Sequence, residues 1–212
     1  MRQSALFGSA VCAAVLVTAP AFADTKTYAV ADFTRVSAAS GVAVDVTVGG
    51  DYAVAATSSA SGLERLDIKV VDGELQIRRK YIKGLRWRRG DDVAVTVAMP
   101  ALEALDASSG ASVDATGVDA GAFSIDASSG ASIDVAGRCD ALTVDVSSGG
   151  SIDADKLECR TANASASSGG SADIFATESV NGDASSGGSV DVSGSPKIVN
   201  KDTSSGGSVD VK

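Results

Sequence analysis

The chain has 212 residues, with 27 acidic against 18 basic side chains, no histidine and a formal charge of −9 at pH 7. That balance argues against a whole-protein nucleic-acid binder, whose footprint is basic, and the lack of histidine excludes serine–histidine and histidine–metal chemistry. Aromatic residues make up 4% of the chain against 23 glycines, so any core is built from small side chains.

Residues 1–23 read as a secretory signal peptide. Arg2 supplies the positive start, an apolar run extends from Ala5 to Val17, and Ala21-Phe22-Ala23 gives the small-x-small pattern that places cleavage between Ala23 and Asp24. The run falls short of the ~20 residues a membrane span needs. Cys12 follows Ser9-Ala10-Val11, without the leucine-led approach of a lipidation site. The expected location is outside the cytoplasm: periplasm, outer surface or secreted.

Residues 24–100 are predicted as an N-terminal β region that begins a solenoid and caps it. Val42, Val44, Val46 and Val48 alternate, as do Val93, Val95, Val97 and Met99, which is the period of a half-buried strand. Val71-Asp72-Gly73-Glu74 predicts a two-residue hairpin turn. Between these lies a basic stretch that holds Arg78, Arg79, Lys80, Lys83, Arg86, Arg88 and Arg89 beside the chain's single tryptophan, Trp87. A cationic segment with an aromatic suits an anionic glycan, a lipid headgroup or another envelope polyanion. The alternative is a solvated hairpin that balances the acid elsewhere.

Residues 101–212 form a regular repeat. An SSG-x-S-x-D motif starts at Ser108, Ser128, Ser147, Ser167, Ser185 and Ser204, with intervals of 20, 19, 20, 18 and 19 residues. Such a period predicts a stacked array. Val113, Ile133, Ile152, Ala172, Val190 and Val209 fill one column, and Asp114, Asp134, Asp153, Asp173, Asp191 and Asp210 fill the column that follows it. The alternation makes the first column inward and the second outward, so the fold class is an all-β, parallel β-helix-like solenoid with coils of about nineteen residues. A preceding strand carries a second acidic column, Asp106, Asp126, Asp145, Ser165, Asp183 and Asp202. Ser-Ser-Gly turns the corner, and its first glycine, unvarying among the copies, suits a positive φ. Ala39-Ser40-Gly41 starts a degenerate copy.

Another inward column reads Leu105, Ile125, Val144, Ala164, Gly182 and Lys201, so the core thins toward the C terminus. The last coil then either frays or docks on a second copy, giving a homo-oligomer. Cys139 and Cys159 each lie eight residues before a motif, in one column of adjacent coils. Their predicted Cα separation of ~5 Å allows a disulfide, and a reduced inward pair is the alternative.

Three stretches carry a resemblance: Phe33-Thr34-Arg35-Val36, Gly73-Glu74-Leu75-Gln76-Ile77, and the run from Val95 through Pro100 to Leu105 that leads into the repeats. Over residues 31–211 the chain resembles the bacterial group described as "putative auto-transporter adhesin head, GIN domain". The resemblance implies an exported β-solenoid with an adhesive or surface role, and it transfers no catalytic residues.

The resulting functional expectation is an exported, non-enzymatic binding module of the cell envelope, with the basic stretch as its contact site and no cofactor, metal or catalytic residue assigned. A self-associating structural protein of the envelope is the alternative, and a polysaccharide-active enzyme is a third reading. Calcium on the aspartate columns is weighed against screened surface ladders; the period is unlike that of calcium-binding β-rolls, and the ladders are preferred.

Overall fold

The computed structural model describes residues 24–80 and 92–212. The leader with Ala23, and Lys83, Arg86, Trp87, Arg88 and Arg89 of the basic stretch, lie outside the described residues. Fifteen strands and one short helix follow in order: β1 (Asp24–Tyr28), β2 (Arg35–Ala39), β3 (Ala43–Val48), β4 (Ala53–Ser58), α1 (Ala60–Arg65), β5 (Leu66–Val71), β6 (Glu74–Arg79), β7 (Ala94–Met99), β8 (Ala104–Ser108), β9 (Ser112–Ala127), β10 (Ser132–Val146), β11 (Ser151–Ala166), β12 (Ser171–Ala184), β13 (Ser189–Ser193), β14 (Ile198–Thr203) and β15 (Ser208–Val211).

The repeats stack as a β-solenoid in the register read from the sequence. Val113, Ile133, Ile152, Ala172, Val190 and Val209 are successive Cα partners, and all are buried. Each buried valine or isoleucine contributes ~1.5–3 kcal/mol. The parallel ladder supplies the backbone bonds that no coil makes alone.

Each coil has one more side than the two strands and corner anticipated. Between its two longer faces runs a short third face, where Gly137, Arg138 and Cys139 pair in register with Val118, Asp119 and Ala120. The strand bends at this point because Gly117 and Gly137 take φ of 79° and 146°. A Cβ on Gly137 would stand 2.2 Å from the Val118 carbonyl oxygen.

The Ser-Ser-Gly corner is a tight turn in which both the second serine and the glycine are left-handed, for example Ser109 at 54° and Gly110 at 72°. The Ala111 N–H closes the turn on the Ser108 carbonyl at 3.2 Å. A left-handed serine costs ~1–2 kcal/mol, and the stack offsets part of that. Turned this way, Ser129, Ser168 and Ser186 present their carbonyls to the N–H groups of Gly110, Gly149 and Gly169 in the preceding coil, each at 3.2 Å. Ser40 and Gly41 adopt the same geometry, and the Gly41 N–H donates to the Ser109 carbonyl at 3.1 Å. The degenerate copy is therefore a true corner.

In the N-terminal half, coils do not stack in chain order. The β2–β3 coil lies between β6–β7 on its outer side and β8–β9 on its inner side. The chain leaves β3 through β4 and α1, lays β6 and β7 outside the first coil, and returns past it. The end is closed by antiparallel strands: β5 on β6, β4 on β7, and β1 on β4. The β5–β6 hairpin turns at Asp72 and Gly73, with φ of 50° and 76°, as the sequence predicts.

Candidate functional site

The basic stretch begins on β6, whose Arg78 faces Asp67 across the hairpin. Arg78 Nε lies 3.5 Å and Lys80 Nζ 3.3 Å from the Asp67 carboxylate. Burial pushes Asp67 up, but hydrogen bonds and charge from Lys80, then Arg78, hold its pKa below the usual value. Arg79 is half-buried on the same strand, and the Lys80 N–H donates to the Arg65 carbonyl at 2.7 Å.

The residues that follow connect β6 to β7. In the neighbouring coils, residues 40–42 and 109–111 join the second-face strand to the first-face strand. In the β6–β7 coil the same join is made by residues 80–93. Arg78 and Arg79 of the basic stretch thus lie on β6 and Lys80 follows it, and the rest falls in the longer connection to β7.

The aspartate columns stand where the repeat places them. Asp45, Asp114, Asp134, Asp153, Asp173, Asp191 and Asp210 are partners along the first face. Asp106, Asp126 and Asp145 lead the second column, which Ser165 interrupts before Asp183 and Asp202. Burial and then neighbouring carboxylates raise the pKa of Asp106, Asp126, Asp134 and Asp173. Serines Ser112 and Ser132 hydrogen-bond each other at 3.2 Å beside the first column. A shallow groove of about 470 Å³ runs between the second column and the corner serines. Among the described residues no three cysteine, aspartate or glutamate side chains gather to hold a metal ion.

The third face carries alternating charge that the sequence reading missed. Arg138 grips Asp119 with Nε–Oδ1 at 3.1 Å and Nη2–Oδ2 at 2.6 Å. Arg160 grips Glu178 at 2.9 and 3.2 Å and lies 3.6 Å from Asp140. Hydrogen bonds from these arginines hold Asp119 and Glu178 below their usual pKa values. The partners lie one coil apart in the sequence, a spacing that would have revealed them. Between these pairs Cys139 and Cys159 are joined as a disulfide, with Cα atoms 4.5 Å apart. Asn163, Asn181 and Asn200 form a second unanticipated ladder, each amide donating to the one before at 2.7 and 2.8 Å.

A "putative adhesin" of Bacteroides fragilis superposes with a TM-score of 0.74 at 18% identity, covering 90% of this chain and 97% of its own. A "putative adhesin" of Parabacteroides merdae aligns over 90% of this chain and 96% of its own at 15% identity, with a TM-score of 0.49. The first establishes likeness of fold. No curated protein matches the chain. The family model described as "Putative auto-transporter adhesin, head GIN domain" matches residues 32–196, and the chain therefore belongs to that family.

Proposed function

We propose that this protein is an adhesin-like module of the cell envelope that holds a polyanionic surface glycan through the basic insertion at residues 78–89. The observation that carries the reading is that the connection from β6 to β7, where neighbouring coils have a short corner, holds five of the chain's 18 lysine and arginine residues, with Arg78 and Arg79 just before it on β6. An acidic stack with a dense group of cations in one segment offers a polyanion an attractive patch and repels it along the aspartate columns. Membership of an adhesin-head family and a leader-like N terminus agree with a surface role. Arg78 and Lys80, anchored by Asp67, would fix the base of the patch, and Lys83, Arg86, Trp87, Arg88 and Arg89 would make the contact.

The test is retention of the full-length protein on immobilised heparin, a soluble polyanionic glycan, and on vesicles containing anionic lipid. Replacing Lys83, Arg86, Arg88 and Arg89 by serine is expected to abolish glycan retention at about 0.15 M salt, with unfolding unchanged. Retention equal to the parent protein would overturn the proposal, and binding to vesicles alone would reassign the ligand to a lipid headgroup.

A further inference from the structure

The C-terminal coil ends the stack with strands that have one neighbour each among the described residues: β14 pairs with β12, and β15 with β13. An unpaired edge invites another strand, and Ile198 and Val199 are 60% and 38% exposed there. Val209, in the same coil, is nonetheless only 6% exposed. Two features close over it.

The first is Gly182. In its inward column the earlier coils place Leu105, Ile125, Val144 and Ala164, all buried. The missing side chain leaves a hole that Val209 enters from the other face, so that a Cβ on Gly182 would stand 2.8 Å from Val209 Cγ1. The second is Lys201, which follows Gly182 in the column. Its Nζ donates to the Val209 carbonyl at 2.9 Å, tying β14 on one face to β15 on the other across the end of the core. A strand added to β14 would have to cover this ammonium and remove it from water.

We infer that Gly182, Val209 and Lys201 form a built-in seal, which closes the core at this coil and stops further strands from adding to β14. The thinning of the core toward the C terminus is then a closing device, and it opposes the self-association at this coil that the sequence suggests.

The seal is tested on the full-length chain by light scattering across a concentration series and by hydrogen exchange of β15. The wild-type mass should not grow with concentration. Lys201→Val, which restores the apolar column, should yield species of at least about twice that mass that grow with concentration, because an inward charge no longer guards the edge. Lys201→Glu keeps a charge but loses the donor, so its mass should stay constant while β15 amides exchange about tenfold faster. Gly182→Ala, which displaces Val209 and leaves the lysine, should speed β15 exchange without growth in mass, and it serves if Lys201→Val fails to fold. Concentration-dependent growth of the wild type through β14, a Lys201→Val protein of constant mass, or unchanged β15 exchange in Lys201→Glu and Gly182→Ala would each overturn the inference.

Discussion

At single positions, neighbouring residues of the corner are constrained for different reasons. Gly149 is left-handed at 72° and has open space where a Cβ would go, so its requirement is conformational. Gly150 does not need a positive φ, but its Cβ would stand 2.6 Å from the Ala127 carbonyl oxygen. Gly149→Ala is expected to cost ~1–2 kcal/mol, read as a lower urea midpoint with an unchanged slope. No loss of stability would show that the corner can retreat to another turn. The glycine was legible from its constancy among the six copies. The left-handed serine before it was not, because serine has no intrinsic preference for that region; at Ser129, Ser168 and Ser186 the hydrogen bond its carbonyl accepts from the glycine of the preceding corner favours it.

Between elements, the disulfide joins β10 to β11 where the ladder changes register. β10 meets β11 almost continuously along its length, whereas β11 and β12 lose step between Ala154 and Cys159 and again before Thr161. The bridge ties the displaced short face of β11 to an ordered neighbour. It closes a loop with a separation of 20 residues, and reduction is expected to lower unfolding stability by about 3 kcal/mol, measured by denaturant titration with and without a thiol reductant. Equal curves would mean that the cysteines do not bridge in solution. The adjacent Arg160 is largely exposed in its pairs with Asp140 and Glu178, so Arg160→Ala should leave the urea midpoint close to that of the parent protein. The cysteine register followed from the period alone. The short face did not, since two inward residues flanked by charges look the same in a strand and in a bend.

For the molecule as a whole, the aspartate columns set an unusual dependence on pH. Burial, followed by like-charged neighbours, raises Asp106, Asp126, Asp134 and Asp173 above the ordinary aspartate value of 3.8. The folded state then binds protons more readily than the unfolded chain, so these groups destabilise the fold above their folded pKa and cease to do so as pH falls through it toward 3.8. Asp67, Asp119 and Glu178 are shifted down, and their stabilising share, present in full above the unfolded values, is lost as pH falls below those values and through the folded ones. The melting temperature in low salt is therefore expected to be higher at about pH 5 than at about pH 7.5. About 0.5 M salt should shrink the difference by screening the columns. A melting temperature that falls steadily from pH 7.5 to 5 would show that the ladders are not under repulsion.

The sequence by itself determined the repeat, its register, the inward and outward columns and the shared column of the two cysteines, because a stack of near-identical coils turns chain spacing directly into neighbourhood. Only the tertiary structure decided the order of the N-terminal coils, where β7 lies outside β3 and the chain doubles back; no periodicity links residues 35–48 to residues 74–99, and the choice rests on which strand edges remain to be paired. It also decided that Lys201 crosses the end of the core to Val209. A lysine in an apolar column signals an end, but where its ammonium goes depends on the face opposite, and that contact exists only after the coil has closed.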